Sequence, residues 1–203
     1  MGPNPLRKVK TPKVPAEPLD PLNLEHLEKM LAACKVRTMM GARDRALLLF
    51  LLDTGVRHAE LCALDLADLN MESGSVLVRQ GKGRKSRVVF VGAKTRRAVT
   101  AYLKRRRDTC PALWVTDEGT RISYDGMRQV IRRKAEQAGV PEPSLHSFRR
   151  AFALTCLRNG VDLISLQRLM GHASLDMLRR YLAQVTSDLQ AARQKGSPVD
   201  RLL

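Results

Sequence analysis

Residues 46–61 read ALLLFLLDTGVRHAEL, and they combine a long apolar block with a glycine turn and a basic residue. The block is apolar on every side of a helix, so it predicts a central, buried helix over about 42–53. Thr54-Gly55 is expected to end this helix, because glycine readily terminates helices. The next helix is expected to run from Arg57 to about residue 67. The stretch therefore predicts a buried helix followed by a cation at the start of its neighbour.

The segments on either side predict a mainly helical protein with one small sheet. A first helix is expected after Asn23, whose side chain is suited to cap it. Residues 75–79 and 86–91 are short β-branched stretches joined by a glycine-flanked basic turn, which predicts a hairpin. A third strand is expected at 113–116. Further helices are expected over about 93–108, 124–138, 146–159, 161–170, 174–183 and 186–194. Glycines suited to C-terminal caps follow three of them: Gly139, Gly160 and Gly171. The predicted class is mainly α with a small three-stranded antiparallel β-sheet, an α+β fold.

The chain carries a large excess of positive charge. Its 203 residues include 36 Lys and Arg against 20 Asp and Glu, for a formal charge of +16. Such a protein most often binds a polyanion, usually nucleic acid, although a ribosome-bound or membrane-bound protein has the same balance. Residues 79–107 hold twelve of the cations and no acidic residue. They predict a phosphate-binding surface, with a solvated cationic face as the alternative.

Several classes of protein are disfavoured. The longest apolar run, Ala46–Leu52, is far shorter than the roughly 20 residues that a membrane-spanning helix needs. The first residues are polar and lack the apolar core of a secretory signal. The cysteines are far apart and form no C-x-x-C pair: Cys34, Cys62, Cys110 and Cys156. They are expected to be reduced thiols in a cytoplasmic protein that has no structural zinc and no cofactor.

Three short motifs could carry chemistry. His146-Ser-Phe-Arg149 places an imidazole and a guanidinium about one turn apart on one face of a helix, where both could reach one anion. Alone this motif is weak, since surface histidines and capping arginines are common. Leu169-Met170-Gly171-His172 places another histidine just after a helix, and Tyr181 follows nine residues later. Together with Arg57, these residues combine several cations with a potential nucleophile.

With these residues, the sequence resembles the catalytic domain of the tyrosine recombinases, the family of phage integrases and Xer-type resolvases. The resemblance covers about residues 20–185. It rests on TGVRHAELCAL as the first arginine box, GKG at the hairpin, HSFRR as the His-x-x-Arg box, LMGH, and the tyrosine beyond it. It implies a site-specific recombinase or integrase, as encoded by mobile elements, that acts on double-stranded DNA.

The resemblance also implies a role for each matching residue. Tyr181 corresponds to the nucleophile, which forms a 3′-phosphotyrosyl bond and releases a 5′-hydroxyl. Arg57 and Arg149 match the arginines that neutralise the charge developing on phosphorus. The same set of residue types can cleave a phosphodiester without a metal, because the cations make the phosphate electrophilic. The sequence shows neither a carboxylate cluster for magnesium nor a P-loop for ATP.

The remaining roles are proton transfer and contact with DNA. Lys82 matches the hairpin lysine that protonates the leaving 5′-oxygen, and Lys85 takes this role if the loop register differs. His146 would assist proton transfer at the tyrosine, and His172 would hydrogen-bond a phosphate oxygen. Cations on and beside the hairpin are the candidate DNA-binding residues: Arg79, Arg84, Lys85 and Arg87.

Other polar residues near the first arginine box are expected to have structural roles. Glu60 is expected to orient Arg57, three residues before it, and not to act on substrate. Asp65 and Asp68 are expected to be helix-surface or salt-bridge residues. The histidines that match no position of the family, His26 and His58, are expected to be ordinary surface residues.

The domain organisation follows the resemblance. Residues 1–20 predict a basic, proline-rich interdomain linker, 21–185 the catalytic domain, and 186–203 a C-terminal helix and tail that could dock on a neighbouring protomer. The resemblance predicts either a catalytic fragment or a naturally truncated protein that lacks the N-terminal core-binding domain of such recombinases, so salt-sensitive and weakly selective DNA binding is expected. The protein is expected to be a monomer alone and to assemble on DNA as a dimer or tetramer.

Two alternatives remain open at this stage. Type IB topoisomerases use a similar constellation to relax supercoiled DNA, without a specific site or synapsis. A non-catalytic DNA-binding protein would keep the arginines and the positive surface without the chemistry of Tyr181.

Overall fold

A computed structural model describes residues 22–79 and 86–171, together with positions 178, 181–183, 185, 186 and 190. The helices in these ranges are α1 (Leu24–Ala32), α2 (Met39–Thr54), α3 (His58–Ala63), α4 (Ala93–Leu103), α5 (Tyr124–Ala138), α6 (Leu145–Arg158) and α7 (Leu163–Met170). A short 3₁₀ helix spans Leu66–Asp68, and the strands are β1 (Ser75–Val78) and β2 (Arg87–Phe90). The mainly helical architecture with a small antiparallel sheet confirms this part of the predicted class. None of the helices in the described ranges is long and apolar enough to cross a membrane.

The central helix is α2, as the apolar block predicts. Residues 46–48 and Phe50 are fully buried, and α4 and α6 pack against the helix. The helix begins before the apolar block because the Thr38 side chain caps it by accepting a hydrogen bond from the Gly41 N–H at 3.0 Å. It ends at Gly55, whose φ of 57° lies in the left-handed region that glycine adopts without strain.

Several predicted caps are confirmed. The Asn23 side chain accepts hydrogen bonds from the first-turn N–H groups of α1. Gly139 and Gly171 cap α5 and α7 in the left-handed conformation. Two helices end earlier than predicted. α3 stops at Ala63, because Leu64 adopts an extended conformation, and α4 stops at Leu103.

The sheet is an antiparallel pair in which Ser75 lies opposite Phe90 and Val78 opposite Arg87. The predicted third strand at 113–116 does not join it in the described part of the chain, so the three-stranded sheet is not confirmed. The backbone of this segment bonds elsewhere: the Leu113 N–H donates to the Leu64 carbonyl at 2.9 Å. The segment is wholly buried from Ala112 to Val115, and it lies in the core as an irregular chain.

A charged cluster lies inside the core at the start of α2, which the apolar pattern did not reveal. The Asp44 carboxylate is buried and accepts hydrogen bonds from Arg43 Nε and Arg133 Nη2, both at 3.0 Å. Lys134 Nζ lies 3.4 Å from the same carboxylate. Arg43 also donates to the Val115 carbonyl at 2.8 Å. The cluster therefore ties α2 to α5 and to the buried irregular segment.

The apolar side chains of the described residues form two clusters, and the second one positions the candidate site. The larger cluster surrounds α2 and extends to the hairpin and α5. The smaller one is formed by α6, α7 and the positions described beyond α7. It contains Phe152, Met170 and Tyr181, so the predicted nucleophile belongs to the same apolar cluster as α6, which carries the His-x-x-Arg box, and α7.

Candidate active site

Three arginines converge on the C-terminal end of α7. The N–H of Gly171 donates hydrogen bonds to the carbonyls of Gln167 and Arg168 in the last turn of the helix. The next three carbonyls, at residues 169–171, accept hydrogen bonds from Arg87 Nε of β2 (2.8 Å), Arg149 Nη2 of α6 (2.6 Å) and Arg57 Nη2 before α3 (3.1 Å). These carbonyls carry the partial negative charge of a helix C-terminus, so cations are stabilised there. The helix end thereby gathers three cations from three separate elements.

One carboxylate serves two of these arginines. Glu60 accepts Arg57 N–H at 2.8 Å and Arg57 Nη1 at 2.9 Å. It also accepts both terminal nitrogens of Arg87, at 2.9 Å and 2.7 Å. Burial would raise the pKa of Glu60, but the hydrogen bonds from Arg87 and Arg57 outweigh it and lower the pKa to about 2. Glu60 is therefore an anion at any physiological pH, and it lies where it can orient Arg57.

The third arginine, Arg149, is held by backbone carbonyls. Its Nη1 donates to the Gly55 carbonyl at 2.5 Å, at the turn that ends α2. Glycine is required there because a Cβ atom would lie 2.3 Å from Cδ1 of Phe152. Burial lowers the pKa of Arg149 to about 10, assisted by repulsion from Arg57 and opposed by attraction to Glu60. The attraction of Glu60 therefore does not fully compensate the burial of the Arg149 guanidinium group and its repulsion by Arg57.

Over the described residues, the cluster as a whole is a candidate anion-binding site. Three guanidinium groups against one carboxylate leave a formal charge of +2. Arg57 is 33% exposed, so an anion from solvent can reach it. An incoming anion would relieve the repulsion that lowers the pKa of Arg149. Two of the predicted site residues, Arg57 and Arg149, are therefore brought together across 92 residues of sequence.

His146 lies beside this cluster, on the first turn of α6 and exposed to solvent. Its ring centroid is 6.2 Å from that of His58, which in turn contacts the Tyr124 ring at 4.5 Å. Burial and the neighbouring His146 both lower the pKa of His58. His58 was expected to be an ordinary surface residue. Its position directly after Arg57 is the signal that could have placed it near the site.

Tyr181 packs in the smaller apolar cluster and is only 3% exposed. Burial raises the pKa of its phenol, while the positive charges of Arg149 and Arg150 act in the opposite direction. The same interaction acts to raise the pKa of Arg149. Tyr181 and Arg149 are therefore close enough to be electrically coupled.

A family model described as the phage integrase family matches residues 21–187. The chain belongs to the phage integrase family. Tyrosine recombinase XerC of Myxococcus xanthus is 35% identical over an alignment 205 residues long, which covers 96% of this chain and 68% of that relative. The crystal structure of XerA recombinase matches with a TM-score of 0.75 and 27% identity, covering 93% of this chain and 67% of that one. A post-cleavage complex of XerH site-specific recombinase with its palindromic difH substrate matches with a TM-score of 0.72 and 26% identity, covering 91% and 54%.

These comparisons identify the protein as a tyrosine recombinase, in agreement with the motifs in its sequence. Several of the predicted site residues of this recombinase lie outside the described residues: Lys82, Arg84, Lys85 and His172. The linker at 1–20 and most of 186–203 do so as well. Their predicted roles stay predictions.

Two candidate DNA-binding residues of the recombinase lie at the ends of the paired strands. Arg79 is mostly exposed and pairs with Asp68 at 2.6 Å and with Asp65 at 3.9 Å. Asp65 also pairs with Arg121 at 2.5 Å. Both aspartates therefore make the salt bridges that were expected of them. The side chain of Arg87 is only 8% exposed and lies in the cluster around Glu60, a position that charge patterning did not suggest.

The described part of the recombinase contains no group of three or more His, Cys, Asp or Glu side chains that could hold a metal ion. The cysteines in this part are free thiols. Burial raises the pKa of Cys34 to about 11, so this thiol stays protonated at neutral pH. The candidate site therefore consists of arginine side chains around the Glu60 carboxylate, next to Tyr181.

Proposed function

We propose that this tyrosine recombinase breaks and rejoins double-stranded DNA at specific sites through a 3′-phosphotyrosyl intermediate on Tyr181, with residues 21–185 as its catalytic domain. DNA as the substrate is supported by the XerH site-specific recombinase structure, which is a post-cleavage complex bound to palindromic difH substrate. Arg57, Arg149, His146 and His172 are proposed to act on the same phosphate, together with Lys82. Assembly on DNA as a dimer or tetramer stays a prediction.

The arginine cluster carries this proposal. A DNA phosphodiester has one negative charge, and a second develops as a nucleophile adds to phosphorus. The cluster has a formal charge of +2, so it matches the transition state better than the ground state. Catalysis requires this difference, because only interactions that strengthen in the transition state raise the rate.

The proposed reaction exchanges one P–O bond for another. The Tyr181 oxygen bonds to phosphorus, its proton passes to His146 or another acceptor, and the bond to the 5′-oxygen breaks. That oxygen takes a proton, for which Lys82 is the proposed donor and Lys85 the alternative. Attack by a 5′-hydroxyl on the phosphotyrosyl bond reverses these steps. Because bonds of the same kind form and break, rejoining needs no ATP.

The burial of Tyr181 adds a condition to this reaction. A phenol that is 3% exposed cannot meet a DNA phosphate without a change in its surroundings. Its raised pKa also keeps it protonated at neutral pH. We propose that DNA binding repositions Tyr181 and that the phosphate takes over hydrogen bonds from Arg57 and Arg149. Cleavage would then depend on DNA to align the nucleophile.

The test is a suicide substrate, a nicked duplex from which the short fragment that bears the released 5′-hydroxyl diffuses away, leaving the protein bound to the 3′-phosphate of the other fragment. The expected result is a covalent adduct with the wild type and none with Tyr181→Phe. Tyr124→Phe is the matched control, because this tyrosine contacts His58 beside the site but is exposed and outside the apolar cluster. It should retain the adduct. An adduct that persists in Tyr181→Phe would refute the assignment.

The same assay separates the alternatives. Sequencing the trapped DNA should give a defined site. Relaxation of plasmids without a preferred site would indicate a topoisomerase. DNA binding without any adduct would indicate a non-catalytic protein.

A further inference from the structure

We infer that Arg87 is a positioning residue for DNA cleavage, which holds Glu60 and thereby Arg57 in place against the end of α7. This inference rests on the proposed function. It replaces the expectation that Arg87 contacts DNA. The residue would never touch the reacting phosphate, and its effect would pass through its neighbours.

All three nitrogens of the Arg87 guanidinium group donate hydrogen bonds to protein atoms. Nε donates to the Leu169 carbonyl at 2.8 Å, and the two terminal nitrogens donate to the two oxygens of Glu60 at 2.9 Å and 2.7 Å. The side chain is only 8% exposed. A DNA phosphate could bind Arg87 only by displacing a carboxylate that is buried with it. Arg57, at 33% exposure, is the more accessible member of the pair.

The position of Arg87 in the chain explains why its contacts matter. It is the first residue of β2 and lies opposite Val78, where the paired strands meet the stretch of sequence that contains the proposed general acid Lys82. Glu60 precedes it by 27 residues and Leu169 follows it by 82. One side chain therefore links the start of β2, the start of α3 and the end of α7. Each of these elements leads directly to a proposed catalytic residue.

Glu60 is the part of this link that reaches Arg57. The carboxylate binds the backbone N–H and Nη1 of Arg57 on one side and the fork of Arg87 on the other. Without Arg87, the carboxylate loses two of its four hydrogen-bond donors and can turn toward solvent. Arg57 would then shift relative to Arg149. Misplacement of a catalytic group by about 1 Å can reduce a rate by roughly 100-fold.

The geometry also specifies arginine. Lysine has a single ammonium group, which cannot make two parallel hydrogen bonds to a carboxylate and also reach a carbonyl in the plane of a guanidinium. Arg87→Lys is therefore expected to restore charge but only part of the positioning. This variant also keeps the test informative if Arg87→Gln does not fold.

The experiment measures single-turnover cleavage of the suicide substrate by the full chain at saturating protein, alongside the affinity for the same DNA. Arg87→Gln should slow cleavage by about 10- to 100-fold, while the Kd changes by less than about threefold. Arg87→Lys should give an intermediate rate. The matched control is Arg106→Gln, since Arg106 is 6% exposed and also binds a carboxylate (Asp108) and backbone carbonyls, but lies in another part of the fold. It should lower the melting temperature without slowing cleavage by the folded protein.

Coupling to Glu60 distinguishes positioning from general stabilisation. In a Glu60→Gln background, Arg87→Gln should slow cleavage by less than about threefold further, because the link is already broken. A phosphate contact would instead weaken DNA binding, make its logarithmic salt dependence shallower by about one, and leave the saturated rate unchanged. That result, or equal rates for the wild type and both Arg87 variants, overturns the inference alone. Absence of a wild-type adduct overturns the proposed function and this inference together.

Discussion

Replacement of Glu60 by glutamine should strongly destabilise the protein at neutral pH. The side chain is 11% exposed and neutralises part of a cluster of three arginines. Lowering its pKa from the ordinary 4.5 to about 2 corresponds to roughly 3 kcal/mol of stability at neutral pH. Removing one partner of a buried ion pair costs roughly 3–5 kcal/mol by a separate argument. The free energy of unfolding of Glu60→Gln should therefore be lower than that of the wild type by about 3 kcal/mol.

The dependence on pH provides a second, independent measurement. A carboxylate whose pKa is lowered by folding stabilises the protein above its unfolded pKa, and this contribution disappears as pH falls from 4.5 toward 2. The difference between wild type and Glu60→Gln should therefore be largest at pH 7 and should shrink below about pH 4.5. Urea unfolding followed by circular dichroism, repeated across this range, measures both quantities.

The control for this experiment is Glu136→Gln, which removes an exposed carboxylate paired with Arg132 at 2.9 Å on the surface of α5. Exposed pairs of this kind contribute little, so its unfolding free energy should stay close to that of the wild type at every pH. A loss below about 1 kcal/mol for Glu60→Gln would refute the reasoning. So would a difference from the wild type that stays constant as pH falls.

Three other changes test other parts of the structure. Gly55→Ala should destabilise the protein by more than Gly139→Ala in urea unfolding: both sites have positive φ, which costs roughly 1–2 kcal/mol, but only at Gly55 would the new Cβ meet Phe152, at 2.3 Å. Asp44→Asn should cost roughly 3–5 kcal/mol in the same assay, because it leaves buried cations without their carboxylate. In a spectrophotometric titration, Tyr181 should ionise at a higher pH than an ordinary tyrosine, because burial raises its pKa, and the Tyr181→Phe variant should lack one late-titrating phenol.

Local signals predicted much of this fold because the interactions concerned are local. Asn23 and Gly55 act through hydrogen bonds and backbone conformations within a few residues, so their positions in the sequence indicate where helices begin and end. The apolar block of α2 predicted the burial of this helix, because a continuous apolar run is also a local feature of the sequence. The segment at 113–116 resembled a strand, but burial on all sides and long-range bonds to residue 64 decided its conformation. No local pattern reports such partners.

The candidate site also combines residues that the sequence indicates with residues whose role only the structure shows. The motifs around Arg57, Arg149 and Tyr181 are enough to indicate a tyrosine recombinase, because each motif is a short run of residues with a fixed local geometry. The role of Arg87 is invisible at that level, where it is one cation among twelve between residues 79 and 107. Its partner Glu60 lies 27 residues away, and only folding brings the two together. Sequence alone therefore determined the family and the type of chemistry. The tertiary structure decided which cations gather at the end of α7 and which of them the Glu60 carboxylate holds, because electrostatic partners depend on distance in space and not along the chain.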